Sequence, residues 1–452
     1  MTTPPALDPP VHSLLARVGP KGMLAVLLLL TALVRLGWMG LRPESLTIDR
    51  DAYLLLAGKL AEGAAFVGPE GTPTAFRPPL FPLLLAPFLK LMSTSVAVAT
   101  VQTSLSLILT WATVRTGQLL GQKADHKPSL TGWLAGLLVA INPLLIVYAG
   151  QPMTEILATT LVALIACGMA SVLIANPPVH RRHIFVMGIL LGLGALTRPA
   201  LLLLIPWTAA CLLFSFPNNA SSQISRTRWL TSATLILAAS LPIGVWTLRN
   251  AAVMGHPIIT TTHGGYTLWL ANNPVIQEQE KTTGTSVWPP AAFIRWEADN
   301  AARLAGLDEV ERDRLQATWG REAIRANPAA LERGACLRMQ YFWSPVPQSQ
   351  GEHQLPEAIR WLLTIFYTLL YAGALLGVFR IPSTSRLWSI WALGTILLVM
   401  APHLVYFSNA RMRTPIEPLL AILAGFGISA VIQRLRRLGL YPTYGLPWVA
   451  RP

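Results

Sequence analysis

Apolar stretches long enough to cross a bilayer recur along most of this chain, and no other feature limits its fold so strongly. Hydrocarbon offers no partner for backbone N–H and C=O groups, so each stretch must satisfy its own as a helix of about 20 residues. Segments 23–40, 96–117, 130–149, 153–175, 184–196, 200–216, 230–246, 359–378, 387–407 and 415–432 read as spans, about ten crossings by length. The break at Thr197-Arg198-Pro199 is the weakest mark among them. Residues 79–92 are equally apolar, but they are short and interrupted by Pro79, Pro82 and Pro87, so they read as an interfacial or re-entrant element. The expected fold class is an all-α polytopic integral membrane protein.

Composition supports this. At 53% hydrophobic and 12% charged residues, the chain is too apolar for an ordinary soluble protein. The net charge of +14 invites a nucleic-acid reading, but the basic residues are scattered one or two per loop. That distribution belongs to membrane orientation, so lipids and not nucleic acid are the expected partners. Cys167 and Cys211 lie within apolar spans, Cys336 stands alone, and no metal-ligand spacing links them. The first span runs on through Val34 without a small-residue cleavage site, so no cleavable signal is expected.

With a cytoplasmic N-terminus, the inside loops carry Lys123 and Lys127, Arg181 and Arg182, Arg226 and Arg228, then Arg380 and Arg386. Arg434, Arg436 and Arg437 follow in the tail, as positive-inside bias requires. The expected organisation is a cytoplasmic tail at 1–22 and a membrane region at 23–248 whose first outer loop is 41–94. A mostly helical outer-face domain follows at 249–356, then C-terminal spans at 357–433 and a basic tail at 434–452. The outer domain opens on turn-rich stretches, His263-Gly264-Gly265-Tyr266 and Asn272-Asn273-Pro274, and continues as two or three helices over 291–342. Trp288, Trp296, Trp319 and Trp343 suit interfacial anchoring, or stacking on sugar rings.

Charges that break the pattern mark the candidate site. Arg42, Arg50, Arg77, Arg198, Arg249, Arg411 and Arg413 fall on the outer side against the bias. Each alone can snorkel to lipid headgroups or cap a helix end. Converging, they would bind an anionic head group, because a guanidinium fork matches phosphate. Asp49 and Asp51 share a face if extended and diverge on a helix. Asp51 can also serve as N-cap of a short helix running through Tyr53, Ala57 and Leu60, which leaves Asp49 the preferred general base. Glu155 opens a span. It can complement the helix dipole, position the base, or share a divalent cation with Asp49. His263 reads as a local hydrogen-bonding residue or a substrate contact, and His403 as bonded to a neighbouring helix. No Ser-His-Asp set, Walker loop or zinc motif is present.

The run Asp49-Arg50-Asp51-Ala52-Tyr53, with Ala57, Leu60 and Gly63, is followed by Arg77-Pro78-Pro79-Leu80-Phe81-Pro82. It resembles the first outer loop of GT-C superfamily glycosyltransferases, most of all the bacterial branch related to protein O-mannosyltransferases and lipid A aminoarabinose transferases. Thr154-Glu155, Leu196-Thr197-Arg198-Pro199, Leu248-Arg249-Asn250 and Arg411-Met412-Arg413-Thr414-Pro415 with Pro418 follow in the same order. The resemblance implies sugar transfer from a polyprenyl-phosphate donor to an acceptor protein, glycolipid or envelope glycan, at the outer face of a bacterial cytoplasmic membrane. It implies Asp49, Asp51 and Glu155 as catalytic residues. It also implies donor-phosphate contacts from Arg77, Arg198, Arg249, Arg411 and Arg413. Apart from the resemblance, Tyr53 beside the acidic pair and His263 and Tyr266 in the Gly-rich turn read as substrate contacts. Arg50 stands where family members often carry a second acid, which leaves metal dependence open: the carboxylates could work without an ion, and a divalent cation, if one is bound, would fall to Asp49 and Glu155. A secondary transporter or lipid flippase, with Glu155, His403 and Arg198 in its pathway, is the competing class. A lipid-linked oligosaccharide ligase or polymerase is a further one.

Overall fold

The computed structural model describes residues 19–121, 129–174, 181–214, 222–285, 291–347 and 355–440. Arg17, Lys123, Lys127, Trp288, most of the 1–22 tail and residues 441–452 therefore lie outside the described residues.

The chain is built of helices: α1 Pro20–Leu41, α2 Tyr53–Ala61, α3 Leu80–Leu89, α4 Thr94–Leu120, α5 Leu130–Ala140, α6 Pro143–Ala149 and α7 Glu155–Ile174. Next come α8 Arg181–Ala195, α9 Leu204–Leu213 and α10 Ser222–Met254. A polar insert follows with α11 Gly264–Asn272, α12 Pro274–Thr283, α13 Ala291–Asp299, α14 Ala301–Leu304, α15 Glu309–Ala326 and α16 Pro328–Trp343. The chain closes with α17 Glu357–Val378, α18 Arg386–Met400 and α19 Glu417–Arg437.

Among the described residues, seven helical segments are long and apolar enough to cross a membrane: α1, α4, α7, most of α10, α17, α18 with the 3-10 turn that extends it to Leu404, and the stretch Ala410–Arg437. An eighth is the pair α5–α6, bent by 50°. The two remaining expected spans are shorter. The first, expected at 184–196, ends with α8 at Ala195, and the second, expected at 200–216, is a 3-10 turn, Pro199–Leu203, leading into α9, with residues 215 and 216 outside the described residues. α3 has 10 residues, about 15 Å at 1.5 Å per residue, too short to cross.

The bend between α5 and α6 has identifiable causes. Pro143 removes a backbone donor, and Asn142 caps α6 by accepting from Leu145 N at 3.1 Å. The freed carbonyls of Val139 and Ala140 are taken by Arg35, a fully buried arginine on α1. Asn142 also donates to Glu417 at 2.8 Å, which fixes the bend against α19.

α19 is the centre of the bundle. Residues 413–427 are all buried, whereas α1 buries only Leu27, Thr31, Arg35 and Met39, along one stripe at four-residue spacing. α19 lies close against α17 because Gly377 and Gly427 carry no side chain there. A Cβ on Gly377 would run into the Leu423 carbonyl, and one on Gly427 into that of Gly373.

The insert has its own small core. Trp269, Trp296 and Trp319 pack with Phe293, ring centroids 4.8–6.1 Å apart. Trp319 is buried in this core and Trp296 packs half-buried against it; four helices, not two or three, form between Ala291 and Trp343. α15 begins on a reciprocal cap between Asp308 and Glu311. Arg338 ties the insert to the spans by donating to the carbonyls of Ala271 (3.0 Å) and Leu404 (2.8 Å).

Candidate functional site

The ends of several helices meet beside the insert, and five charged side chains alternate there. Arg77 Nη2 donates to Asp51 Oδ1 at 3.0 Å, and Arg411 Nη2 donates to Asp51 Oδ2 at 2.7 Å. Arg411 turns its Nε to Glu155 Oε1, which also accepts from Arg198 Nη2 at 2.7 Å. Three guanidinium groups thus face two carboxylates, leaving one positive charge over. Glu155 is fully buried, while the others keep 14–20% of their side-chain surface exposed. The cluster is therefore partly desolvated and open on one side.

Local folding explains why these atoms meet. Ala52 adopts φ 60°, the one non-glycine residue with positive φ among the described residues. That left-handed kink, costly for a residue with a Cβ, sits directly between Asp51 and helix α2. It turns Asp51 out towards Arg77 and Arg411. Asp49 then satisfies the helix: its Oδ2 accepts from Leu55 N at 2.8 Å. The helix-capping role that the sequence offered to Asp51 belongs to Asp49. Its other oxygen, Oδ1, is buried without a partner among the described residues. Glu155 is placed by the first turn of α7, after a loop held by Gln102 Nε2 on the carbonyls of Gln151 (2.7 Å) and Met153 (3.0 Å). Arg198 precedes the Pro199 turn, and Leu80 N, just after Arg77-Pro78-Pro79, donates to Leu196 O at 3.2 Å.

Electrostatics follow from this wiring. Burial pushes the Asp51 carboxyl up, but Arg411 and Arg77 outweigh it and hold the group below the usual carboxylate range. His263 contacts Arg77, Nε2 to Nη1 at 3.3 Å, and its ring packs on Phe76 and Tyr266. Burial, reinforced by Arg77, pushes its pKa down to about 3, so the imidazole is neutral near pH 7. An arginine only donates, so Nε2 is the accepting nitrogen and Nδ1 carries the proton. Nδ1 is buried with no partner among the described residues. Tyr53 is buried beneath Arg77, whose guanidinium lies 5.9 Å from the ring centroid. Burial and Glu297 push the Tyr266 hydroxyl up to about 12.

Of the five arginines expected at the donor phosphate, Arg249 and Arg413 lie outside the ladder. Arg249 donates to the carbonyls of Phe66 and Thr74, and Arg413 pairs with Glu417 at 2.8 Å while donating to Phe342 and Ser344 carbonyls. Both bind protein carbonyls, so their donors serve loop and helix packing. His403 bonds the Phe407 carbonyl at 2.9 Å.

Sequence reasoning passed over one carboxylate. Glu309, at the start of α15, accepts from Thr74 Oγ1 (2.5 Å), Ala75 N (2.8 Å) and Thr262 Oγ1. It pins the insert to the two segments that carry Arg77 and His263. Asp313 adds Gly265 N at 2.6 Å. Only the acidic first turn of α15 is visible in the sequence, and that suits a helix dipole equally well.

This arrangement defines a class: a polytopic membrane protein with an arginine–carboxylate ladder where its spans meet a polar insert. A scan against protein-family models and a search of curated proteins return no match. Solved structures do match. The archaeal oligosaccharyltransferase AglB from Archaeoglobus fulgidus, in complex with an inhibitory peptide and a dolichol-phosphate, is similar over 93% of this chain at 14% identity, TM-score 0.54. The oligosaccharyltransferase of the same organism tethered to an acceptor peptide is similar over 95% at 15% identity, TM-score 0.55. Its complex with zinc and sulfate is similar over 94% at 13% identity, TM-score 0.51. The chain spans about half the length of these structures, covering 51–53% of each. The likeness is one of fold: the helical arrangement of this chain is that of these archaeal oligosaccharyltransferase structures.

Proposed function

We propose that this chain is a membrane glycosyltransferase that moves a sugar from a polyprenyl-phosphate donor to a protein, glycolipid or envelope glycan. The reading places it in the bacterial branch named above, with loop 41–94 and segment 249–356 outside the cytoplasm. The observation that carries the proposal is the ladder, which holds one surplus guanidinium charge at the ends of membrane spans. A lipid-borne phosphate can reach such a place without leaving the bilayer. The dolichol-phosphate and acceptor peptide of the neighbours are the same two kinds of ligand.

Arg77, Arg198 and Arg411 would hold the donor phosphate and stabilise the charge that grows on it as the sugar leaves. Both oxygens of Asp51 are engaged by arginines, which makes it a weak base and a good positioning group. Asp49 Oδ1 has lone pairs to spare, and is the group to take a proton from the acceptor hydroxyl or amine. The acceptor oxygen or nitrogen bonds to the anomeric carbon, the bond to the carrier phosphate breaks with its electron pair, and the centre inverts. His263 Nδ1–H is a fixed donor for a sugar hydroxyl.

Zinc was bound in one neighbour, but the residues here do not fit a divalent ion. Among the described residues, no three His, Cys, Asp or Glu side chains are placed to share a metal, and Asp51 and Glu155 share Arg411 instead.

The test is transfer by purified protein from a panel of polyprenyl-phosphate monosaccharides, wild type beside Asp49→Asn. A general base contributes about 10²–10⁴-fold. Loss of that size in a folded variant that still binds donor supports the reading. Unchanged turnover removes Asp49 as base, and failure to bind any lipid-linked sugar removes the transferase.

A further inference from the structure

The misfit to a metal has a positive side. Arg411 sits where a bridging cation would sit, with Nη2 on Asp51 and Nε on Glu155, carboxylates supplied by two distant parts of the chain. Its neighbours leave it no freedom: Asp51 is held from its other side by Arg77, and Glu155 by Arg198. Glu155 Oε2 is buried, without a partner among the described residues, so the pair has coordinating capacity that the guanidinium does not use.

We infer that Arg411 is the resident cation of this site, and that it closes the site to divalent ions while it is in place. A divalent ion would need to displace a guanidinium that already gives charge-assisted hydrogen bonds to both carboxylates, and it would meet the positive charges of Arg77 and Arg198 on entering. The substitution changes what the site offers a ligand. A metal presents two charges at one point and takes ligand oxygens directly. A guanidinium presents one charge spread over a plane and takes them by hydrogen bonds along its edge. An anionic ligand here is therefore recognised by the geometry of N–H donors, and its binding is indifferent to chelators. The inference concerns the carboxylates themselves, so it stands whether or not the ligand is a lipid-linked sugar.

The experiment is Mn²⁺ titration followed by electron paramagnetic resonance on the purified full chain in detergent. Wild type is expected to leave the free Mn²⁺ signal undiminished up to millimolar concentration. Arg411→Ala, which vacates the bridge, is expected to take up one Mn²⁺ per chain, and the double variant Arg411→Ala/Glu155→Gln to lose it. Stoichiometric uptake by wild type that disappears in Asp51→Asn overturns the inference, because the metal then outcompetes the arginine. A folded Arg411→Ala that binds no Mn²⁺ overturns it too, since the vacated position is then no cation site. Should Arg411→Ala fail to fold, the wild-type titration decides alone. Absence of sugar transfer by the wild-type protein, with these ion results intact, would count against the transferase reading only.

Discussion

Replacing Glu309 by Ala should release the loop that carries Arg77 while leaving the membrane bundle intact. The carboxylate accepts from Thr74 Oγ1 at 2.5 Å, from Ala75 N at 2.8 Å and from Thr262 Oγ1. Hydrogen bonds to a charged group are worth about 1.5–3 kcal/mol each. Glu309 is half-buried, so water can replace it on the freed donors, and about 1 kcal/mol apiece is the safer value. The sum, about 3 kcal/mol, corresponds to roughly 150-fold in the local opening constant. It is a local term, because the loop can open without disturbing α19. Hydrogen exchange read by mass spectrometry on peptides spanning 66–77 and 258–266 measures it directly. Exchange there should accelerate by about two orders of magnitude, with α19 unchanged. Glu309→Gln keeps one neutral acceptor oxygen and should show a smaller acceleration. If exchange at Ala75 does not change in a folded Glu309→Ala, the loop is held by Arg249, which bonds the Phe66 and Thr74 carbonyls, and the clamp has been misjudged.

Two further outcomes follow from the loop between α1 and α2 and from His263. The folded protein lowers the His263 pKa from 6.5 to about 3, so the unfolded chain binds more protons between those values and stability rises with pH across that window. Falling from pH 6.5 to pH 5 should cost up to about 2 kcal/mol, visible as a drop in Tm that His263→Asn reduces; an equal drop in the variant refutes the assignment. Asp51 acts in the same direction but further down: its stabilisation is present above its ordinary value of 3.8 and is lost as pH falls through the depressed folded value. Ala52→Gly should raise Tm by relieving about 1 kcal/mol of left-handed strain, and Ala52→Val should lower it; the reverse order would show that the kink is not strained.

Much of this molecule is legible in its sequence because charge is rare there. Arg77, Glu155, Arg198 and Arg411 stand at the edges of apolar runs, where an unpaired charge is expensive, and the structure brings all four together with Asp51. The order within Asp49-Arg50-Asp51 was not legible. Residue spacing cannot say which carboxylate turns inward when that depends on the φ of Ala52. Nor can sequence separate Arg411 from Arg249 and Arg413, which have the same chemistry and similar depth. Arg249 is taken up by the carbonyls of Phe66 and Thr74, remote in sequence and carrying no side-chain signature. Arg413 adds to the Phe342 and Ser344 carbonyls a pairing with Glu417, four residues on, that sequence spacing alone does not distinguish from an ordinary helix-surface pair. The span count shows a related limit. Hydropathy finds apolar length, but it does not reveal that the runs on either side of Arg198 become shorter helices joined by a 3-10 turn.

The ladder also sets an order of assembly. Glu155 is followed after 43 residues by Arg198, but Arg411 comes 256 residues later, and 360 after Asp51. Synthesis proceeds from the N-terminus, so α7 enters the membrane long before its second counter-charge has been made. Arg198 must shelter Glu155 during that interval, and Arg77 must do the same for Asp51. The last long span to be inserted brings the residue that joins these two waiting pairs. A chain that stops short of residue 411 would have most of its helices and no finished centre, so maturation of the site is coupled to completion of the protein.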